Sequence, residues 1–318
     1  METIFIDRRG SDVSINAGRL RVTNAKHSID TSLPLAQMRA LVICCECGLS
    51  SSMLRGLAKH DIALMCFHPS DIDASFISVP ATVGNVQRRI AQYQLTQDAE
   101  QTLRLARLVV NSKIRQQRRN LVTYCQSRPE KRTELNRAIS QMVTPISRSV
   151  TINQLMGIEG SAAKAYFSGF TQLFAPSLDF TGRNKRPPKD AVNAMLSLVY
   201  TLIYFEAKRA ILGVGLDPML GFLHQASYGR DSLACDLAEL MRSTCDHYIQ
   251  QLFSQQTLRP QHFTVLENGA YYLNKSGRKL FFENMMLVMP QWRTTLRRYA
   301  RRLAKYIDHY ICGTSFYI

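Results

Sequence analysis

Acidic residues are scarce in this sequence. Its 318 residues include 24 Asp and Glu against 40 Lys and Arg, which leaves a formal net charge of +16 at pH 7. Such an excess concentrates phosphate-bearing ligands around a protein and makes their binding fall steeply with salt. We therefore expect a polyanionic partner, with nucleic acid favoured over a merely basic protein that has none.

Long apolar runs and a regular cysteine framework are also missing. No window of 18 uninterrupted apolar residues occurs, and the N-terminus has neither the basic nor the apolar segment of a signal peptide. The eight cysteines lack the spacing of a secreted disulfide scaffold. Cys44, Cys45 and Cys47 have no second Cys/His pair at zinc-finger spacing, so we interpret them as packed thiols. These absences favour a cytoplasmic protein that does not span a membrane.

The composition is that of a folded chain, with 46% hydrophobic and 20% charged residues, and its patterning changes once. Short alternating runs between Gly and Asn turns fill residues 1–79 and predict a small β-rich domain. Strands are expected at 3–6, 13–15, 19–22, 40–43 and 62–67, with a helix over 51–60. Residues 80–84 are predicted to be a linker.

Residues 85–318 carry apolar side chains at helical spacing almost throughout, which predicts a larger helical domain. Helices are expected from 85 onward, as one long helix or a kinked pair, and over 132–149, 153–173, 190–212, 232–252 and 291–309. Asn268-Gly269 predicts the turn of a short hairpin. The predicted fold class is α+β, with a small N-terminal β-rich domain followed by a mostly α-helical catalytic domain.

Asp236 and Glu239 stand at positions i and i+3 of a predicted helix, so both carboxylates project from one side of it. A solvated acidic face and a site with a metal or Arg partner both fit that spacing. His224, which precedes a flexible loop, is either a satisfied core residue or a ligand. Glu159 lies among glycines at a predicted helix start, where it either favours the helix dipole or takes part in a site.

If these side chains converge, they form a mostly oxygen site with one imidazole. Such a donor set suits Mn²⁺ or Mg²⁺ better than zinc. The sequence by itself does not show the convergence.

Four ordered blocks, residues 157–167, 186–194, 215–224 and 229–237, closely resemble the CRISPR-associated protein one family. The first contains Gly157-Ile158-Glu159-Gly160 and the last Gly229-Arg230 with Ser232-Leu233-Ala234. The resemblance implies a metal-dependent DNA endonuclease and integrase of CRISPR adaptation, with an N-terminal β-domain and a helical catalytic domain. It also implies a small partner, CRISPR-associated protein two, and a divalent cation, Mg²⁺ or Mn²⁺.

The resemblance carries the family's catalytic and metal-binding Glu and His onto Glu159 and His224. The third, acidic ligand falls on Asp236 or Glu239. Because the Asp side chain is one methylene shorter, we expect Glu239 to be the direct ligand and Asp236 to support it. His224 is expected as a ligand, with proton relay to the leaving oxygen as the alternative.

The expected reaction inserts spacer DNA into the CRISPR array by attack of a 3′-hydroxyl on a repeat phosphodiester. A nuclease without integration, or a non-enzymatic DNA-binding scaffold, are the alternative functions. We expect double-stranded DNA, namely the spacer precursor and the repeat, as the substrate. A homodimer through the N-terminal domain is also expected.

Basic side chains near the blocks and along the last helix are candidates for phosphate contact, although a solvated helix face explains any single run equally well. A further basic run covers 113–119. Tyr166, Tyr200 and Tyr204 are interpreted as core residues, with base stacking as the alternative. The predicted DNA-binding residues are Arg183, Lys185, Arg186, Lys189, Arg230, Arg297, Arg298, Arg301 and Arg302.

Overall fold

A computed structural model describes residues 2–67, 75–78, 85–142, 151–184 and 187–311. The chain separates into two compact units. The first contains the described residues up to 78 together with Phe282–Leu287, and the second contains Asn85–Phe281 and the residues from Val288 on. Strands in the first unit and mostly helices in the second confirm the predicted α+β class. The predicted linker at 80–84 lies outside the described residues.

Two four-stranded sheets form the first unit. Their strands are β1 (Glu2–Ile6), β2 (Asp12–Asn16), β3 (Arg19–Asn24), β4 (Ile29–Pro34), β5 (Met38–Ile43), β6 (Gly48–Leu49), β7 (Ala63–Cys66) and β8 (Phe76–Ser78), with helix α1 (Ser51–Lys59) before β7. One sheet has the order β1-β5-β7-β8 and the other β4-β3-β2-β6. Each predicted strand is therefore present, and β4, β6 and β8 are additional.

The alternation of apolar and polar residues explains why these segments form strands with one buried face. Ala17 and Gly18 both have positive φ, at 47° and 71°, and close the two-residue turn between β2 and β3. Leu20, Leu41 and Met53 are among the fully buried side chains of this core. The interpretation of the cysteine cluster as packed side chains is confirmed, because Cys44 is buried and Cys45 and Cys47 pack against the same core.

The second unit is built mainly of helices. They are α2 (Val86–Gln97), α3 (Ala99–Ser127), α4 (Arg132–Gln141), α5 (Ile152–Phe170), α6 (Ala191–Leu212), α7 (Ser232–Glu239), α8 (Arg242–Ser254) and α9 (Lys275–Ile311), with a hairpin of β9 (Phe263–Val265) and β10 (Tyr271–Leu273). The hairpin confirms the turn predicted at Asn268-Gly269. No helix of the described residues is long and apolar enough to cross a membrane.

Helix boundaries differ from the prediction at three places. The single helix expected over 232–252 is two, because Leu240 and Met241 form a tight turn with i to i+3 backbone hydrogen bonds. α9 begins at Lys275 and continues through Pro290, where a helix is normally expected to end. α4 ends at Gln141, and the remainder of its predicted range, 143–150, lies outside the described residues.

α6 is buried on nearly all sides and occupies the centre of the second unit. It packs against α7 and α8, while α3 packs against α4, α5, α7 and α8. A Cβ added at Gly169 of α5 would lie 2.8 Å from the Cβ of Ala138, so glycine permits the close approach of α5 and α4. This packing brings one face of α3 next to both α5 and α7, which carry the predicted acidic residues.

Candidate metal centre and DNA-binding residues

Glu159 and Glu239 meet at the ammonium group of Lys113. Lys113 Nζ lies 2.6 Å from Oε2 of Glu239 and also pairs with Oε1 of Glu159. Burial acts to lower the pKa of Lys113, but the two carboxylates outweigh it and raise that pKa. The structure therefore brings together two of the predicted site residues, from α5 and α7, through a lysine of α3.

The position of Glu159 differs from the prediction. A capping box of Thr151 and Gln154 begins α5, so Glu159 lies two turns into the helix and not at its start. Because the dipole effect falls off within the first turn, it does not account for this glutamate. The ion pair of Glu159 with Lys113 accounts for its position.

Glu239 is held by cations on two sides. Arg242 Nη2 lies 3.1 Å from its Oε1, and Lys113 contacts its Oε2. Burial alone would raise the pKa of Glu239, yet the charges of Arg242 and Lys113 lower it to about 2. The carboxylate is thus ionised at neutral pH, and the solvated acidic face considered for this helix is wrong.

A small buried network supports Arg242 from behind. Its guanidinium stacks over the ring of Tyr200, 3.9 Å from the centroid. The Tyr200 hydroxyl donates a hydrogen bond to Asp246, a fully buried carboxylate whose pKa burial raises to about 6. Tyr200 therefore contributes to the polar interior beneath Glu239.

Asp236 fixes the orientation of His224. Only 2% of this residue is exposed, and its Oδ1 lies 2.7 Å from His224 Nδ1. The carboxylate also accepts the backbone N–H groups of Phe222, Leu223 and His224 at 2.6 to 3.0 Å. A Cβ at Gly221 would lie 2.8 Å from Asp236 Oδ2, so the loop can approach only as glycine.

The arrangement determines which nitrogen of His224 is available. Backbone N–H groups oblige Asp236 to act as an acceptor, so Nδ1 of the imidazole carries the proton that it donates to the carboxylate. Nε2 then has a lone pair, and no hydrogen bond engages it within the described part of the chain. A carboxylate behind a histidine is the usual support for a metal-ligating imidazole.

The donor set fits a hard divalent cation in its chemistry. The carboxylates of Glu159 and Glu239 already share one cationic partner, Lys113. The half-buried imidazole of His224, with a free nitrogen, lies near Glu239. Within the described ranges, no three His, Cys, Asp or Glu side chains form a ready ligand cluster as they stand. Carboxylate oxygens with one imidazole suit Mg²⁺ or Mn²⁺.

Two residues of this centre, Lys113 and Arg242, were not singled out in the sequence. Lys113 belongs to the basic run 113–119, which was considered either for phosphate contact or as a solvated helix face. Lys113 is at helical spacing from Val110, Ile114 and Leu121, which are buried residues on the same face of α3. A lysine in the apolar register of a long helix is the signal that could have identified it.

The predicted loop cations have different surroundings. Arg183 is turned inward, where it donates to Asn193 Oδ1 and Ser197 Oγ at 3.0 and 3.2 Å, and burial lowers its pKa. Lys189 is exposed, and Arg230 bonds to the carbonyl of Gln225 in the loop after His224. Lys185 and Arg186 lie outside the described residues.

The α9 arginine face consists of Arg297, Arg298, Arg301 and Arg302. All four side chains are exposed on one side of the helix. Arg293, one turn earlier, is instead buried against Glu206 at 2.8 Å. The four exposed guanidinium groups are therefore available to a polyanion.

Of the three tyrosines considered for stacking, one is fully buried and the other two are half-buried with their hydroxyls on carboxylates. Tyr166 is fully buried against Phe170, with ring centroids 5.4 Å apart. Tyr204 donates to Asp231 at 2.5 Å. With Tyr200 held between Arg242 and Asp246, the interpretation as core residues is confirmed.

The fold of this chain is similar to those of proteins whose structures have been solved. The fold matches a casposase bound to integration product, with a TM-score of 0.84 and 21% identity over 96% of this chain and 90% of that one. It also matches a Cas6-RT-Cas1–Cas2 complex, with a TM-score of 0.80 and 19% identity over 96% of this chain and 35% of that one. The fold thus defines the class of two-unit α+β proteins to which these structures belong.

The sequence defines the family within that class. The family model described as "CRISPR associated protein Cas1" matches residues 4–286. A protein of Thermodesulfovibrio yellowstonii named CRISPR-associated endonuclease Cas1 1 is 37% identical over 97% of this chain and 99% of its own length. The chain belongs to the CRISPR-associated protein Cas1 family, and the predicted resemblance is confirmed.

Proposed function

We propose that this protein is a divalent-cation-dependent DNA endonuclease and integrase of CRISPR adaptation. The family membership confirms the predicted enzyme class, and the pairing of Glu159 and Glu239 beside an oriented His224 carries the proposal to particular residues. In this assignment Glu159, Glu239 and Nε2 of His224 are the donors, and the cation is Mg²⁺ or Mn²⁺. Asp236 has its oxygens engaged by four hydrogen bonds and acts by positioning the imidazole.

The proposed reaction is an in-line phosphoryl transfer. A DNA 3′-hydroxyl loses its proton to water and attacks a repeat phosphodiester, so that a new P–O bond forms. The P–O bond to the displaced 3′-oxygen breaks, and that oxygen leaves from the opposite side and takes up a proton. When bound, the cation neutralises charge on the phosphoryl oxygens and lowers the pKa of the attacking hydroxyl. Lys113 pairs with both carboxylates and holds Glu159 close to Glu239, and together with Arg242 it keeps Glu239 ionised.

The DNA contacts are proposed for the α9 arginine face, Lys189 and Arg230. Exposure of Lys189 and of the α9 arginine face, together with the net charge of +16, supports a sequence-independent phosphate interaction. The structural relatives include a casposase bound to integration product and a complex with Cas2, which support DNA and a Cas2-type subunit as partners. A homodimer through residues 1–79, and a cytoplasmic location, complete the proposal.

Joining of labelled duplex ends to repeat-bearing DNA tests this function. With the Cas2-type subunit and Mn²⁺, the wild-type protein should give joined products. Glu159→Ala and His224→Ala should each lose joining by orders of magnitude while retaining DNA binding, whereas Glu134→Ala, at an exposed position of α4, is the matched control.

Four outcomes separate the functions. Absence of joined product in both site variants supports the integrase. Cleavage without joining, still dependent on Glu159, would indicate a nuclease without integration. Joining retained in the double variant Glu159→Ala/His224→Ala would refute the site, and DNA binding without any cation-dependent chemistry would indicate a scaffold.

A further inference from the structure

Lys113 is a buried cation in the apolar register of α3. Its side chain is 10% exposed, and the helix face around it consists of residues such as Val110, Ile114 and Leu121. A buried ammonium is costly unless charged partners compensate for its lost hydration. Those partners are the two carboxylates that the proposed function assigns to the divalent cation.

One ammonium group serves both carboxylates. Lys113 Nζ contacts Oε1 of Glu159 and Oε2 of Glu239, whereas Arg242 contacts only the other oxygen, Oε1, of Glu239. Lys113 is thus the cation that joins the two glutamates, and Arg242 stands to one side of the pair. The two positive charges already balance the two negative ones.

A divalent cation bound between the same two carboxylates would meet the lysine ammonium at contact distance. Like charges that close repel strongly where water is largely excluded. The lysine side chain has four flexible methylene groups, so its ammonium can turn away while the backbone of α3 remains in place. The ammonium and a divalent cation therefore cannot occupy the two glutamates at the same time.

We propose that Lys113 is a built-in competitor for the proposed cation site. It holds Glu159 and Glu239 together and must release both before a divalent cation binds between them. The inference rests on the proposed function for the identity of the site, but it concerns how tightly the site binds its cation. Exchange of the ammonium for the cation then sets the concentration at which the enzyme is loaded.

Mn²⁺ binding to the purified protein tests the proposal without any measurement of activity. Free Mn²⁺ is measured by electron paramagnetic resonance during titration of the wild type, Lys113→Met and Arg242→Met. The two variants lose the same charge beside Glu239, so a purely electrostatic gain in affinity should be alike in both. Competition predicts that Lys113→Met binds Mn²⁺ at least tenfold more tightly than the wild type and clearly more tightly than Arg242→Met.

Thermal denaturation gives the second measurement. Without metal, Lys113→Met should melt below the wild type, and a fixed Mn²⁺ concentration should raise its Tm by more than it raises that of the wild type. Lys113→Gln, which can still hydrogen-bond to both carboxylates without a charge, should change both measurements in the same direction and serves if the Met variant fails to fold.

Equal or weaker Mn²⁺ binding by Lys113→Met and Lys113→Gln would overturn the proposal, as would equal gains in Lys113→Met and Arg242→Met. A separate variant examines the site itself. If Glu159→Gln binds Mn²⁺ as the wild type does, the proposed site is wrong, and that result is distinct from any ranking of the Lys113 variants.

Discussion

Asp236→Asn is the substitution for which the structure gives the sharpest expectation. The carboxylate accepts four hydrogen bonds, three from consecutive backbone N–H groups and one from His224 Nδ1. An amide has only one acceptor oxygen, and its NH₂ group must face N–H groups that cannot accept. If the NH₂ group replaces Oδ2, the bonds from Phe222 and Leu223 are removed. If it replaces Oδ1, the bond from the His224 backbone is removed, and the imidazole must accept where it formerly donated.

The cost follows from the number of bonds. Hydrogen bonds to a charged group contribute about 1.5 to 3 kcal/mol each, so removal of one or two should lower the free energy of unfolding by about 1.5 to 6 kcal/mol. Total stabilities are only about 5 to 15 kcal/mol. At roughly 2 to 4 °C per kcal/mol, the Tm should fall on the order of 10 °C.

The same change alters the imidazole. If the amide nitrogen faces His224, Nδ1 must accept and the ring proton moves to Nε2, which removes the lone pair proposed to bind the cation. Joining should fall about 10- to 100-fold at limiting Mn²⁺ and be partly restored by excess Mn²⁺.

Circular dichroism melting without metal, followed by a Mn²⁺ titration of joining, measures both effects. Glu134→Gln is the control for a carboxylate-to-amide change on an exposed helix face. An Asp236→Asn protein that melts within 2 °C of the wild type, taking about 2 °C as the equivalent of 1 kcal/mol, would refute the hydrogen-bond accounting. Full activity at limiting Mn²⁺ would refute the positioning role.

Three further predictions concern charge. Glu239→Gln should abolish joining without rescue by excess Mn²⁺, because a proposed ligand is removed, and rescue equal to that of Asp236→Asn would contradict the ranking of the two residues. Replacement of the whole α9 arginine face by Gln should weaken binding to all DNA sequences and reduce the salt slope by about one for each phosphate that is no longer neutralised, measured by anisotropy between 50 and 200 mM salt; an unchanged slope would place DNA elsewhere. Burial raises the pKa of Asp246 to about 6, above its unfolded value near 4, so the folded protein holds a proton that the unfolded chain releases. The free energy of unfolding should therefore decrease as pH rises from about 4 to 6 in the wild type, more than in Asp246→Asn, and parallel pH profiles in denaturant titrations would contradict this.

Much of the candidate centre could be predicted because its residues belong to short ordered blocks. The i, i+3 spacing of Asp236 and Glu239 placed both on one helix, and the shorter Asp side chain suggested its supporting role. The spacing could not show that Asp236 points back to the loop before α7, because that contact depends on the close approach allowed by Gly221.

The rest of the candidate site could not be predicted, because it depends on contacts between segments that are far apart in the sequence. Lys113 precedes Glu159 by 46 residues, and only the packing of α3 against α5 and α7 brings them together. Arg183 was expected to contact DNA because it lies in a loop near the ordered blocks, yet its guanidinium is turned inward and donates to Asn193 and Ser197. The helix expected over 291–309 begins earlier, at Lys275, and continues through Pro290.

The anchoring of three successive amides by one carboxylate has a consequence for how the loop can vary. Because Asp236 belongs to α7, the imidazole of His224 takes its position from that helix and not from the residues that follow it in the chain. The exposed tip at residues 225–229 lies beyond the anchored amides. Its length and composition can therefore diverge among relatives, and be redesigned to suit a different DNA, while the imidazole stays in register with the glutamates.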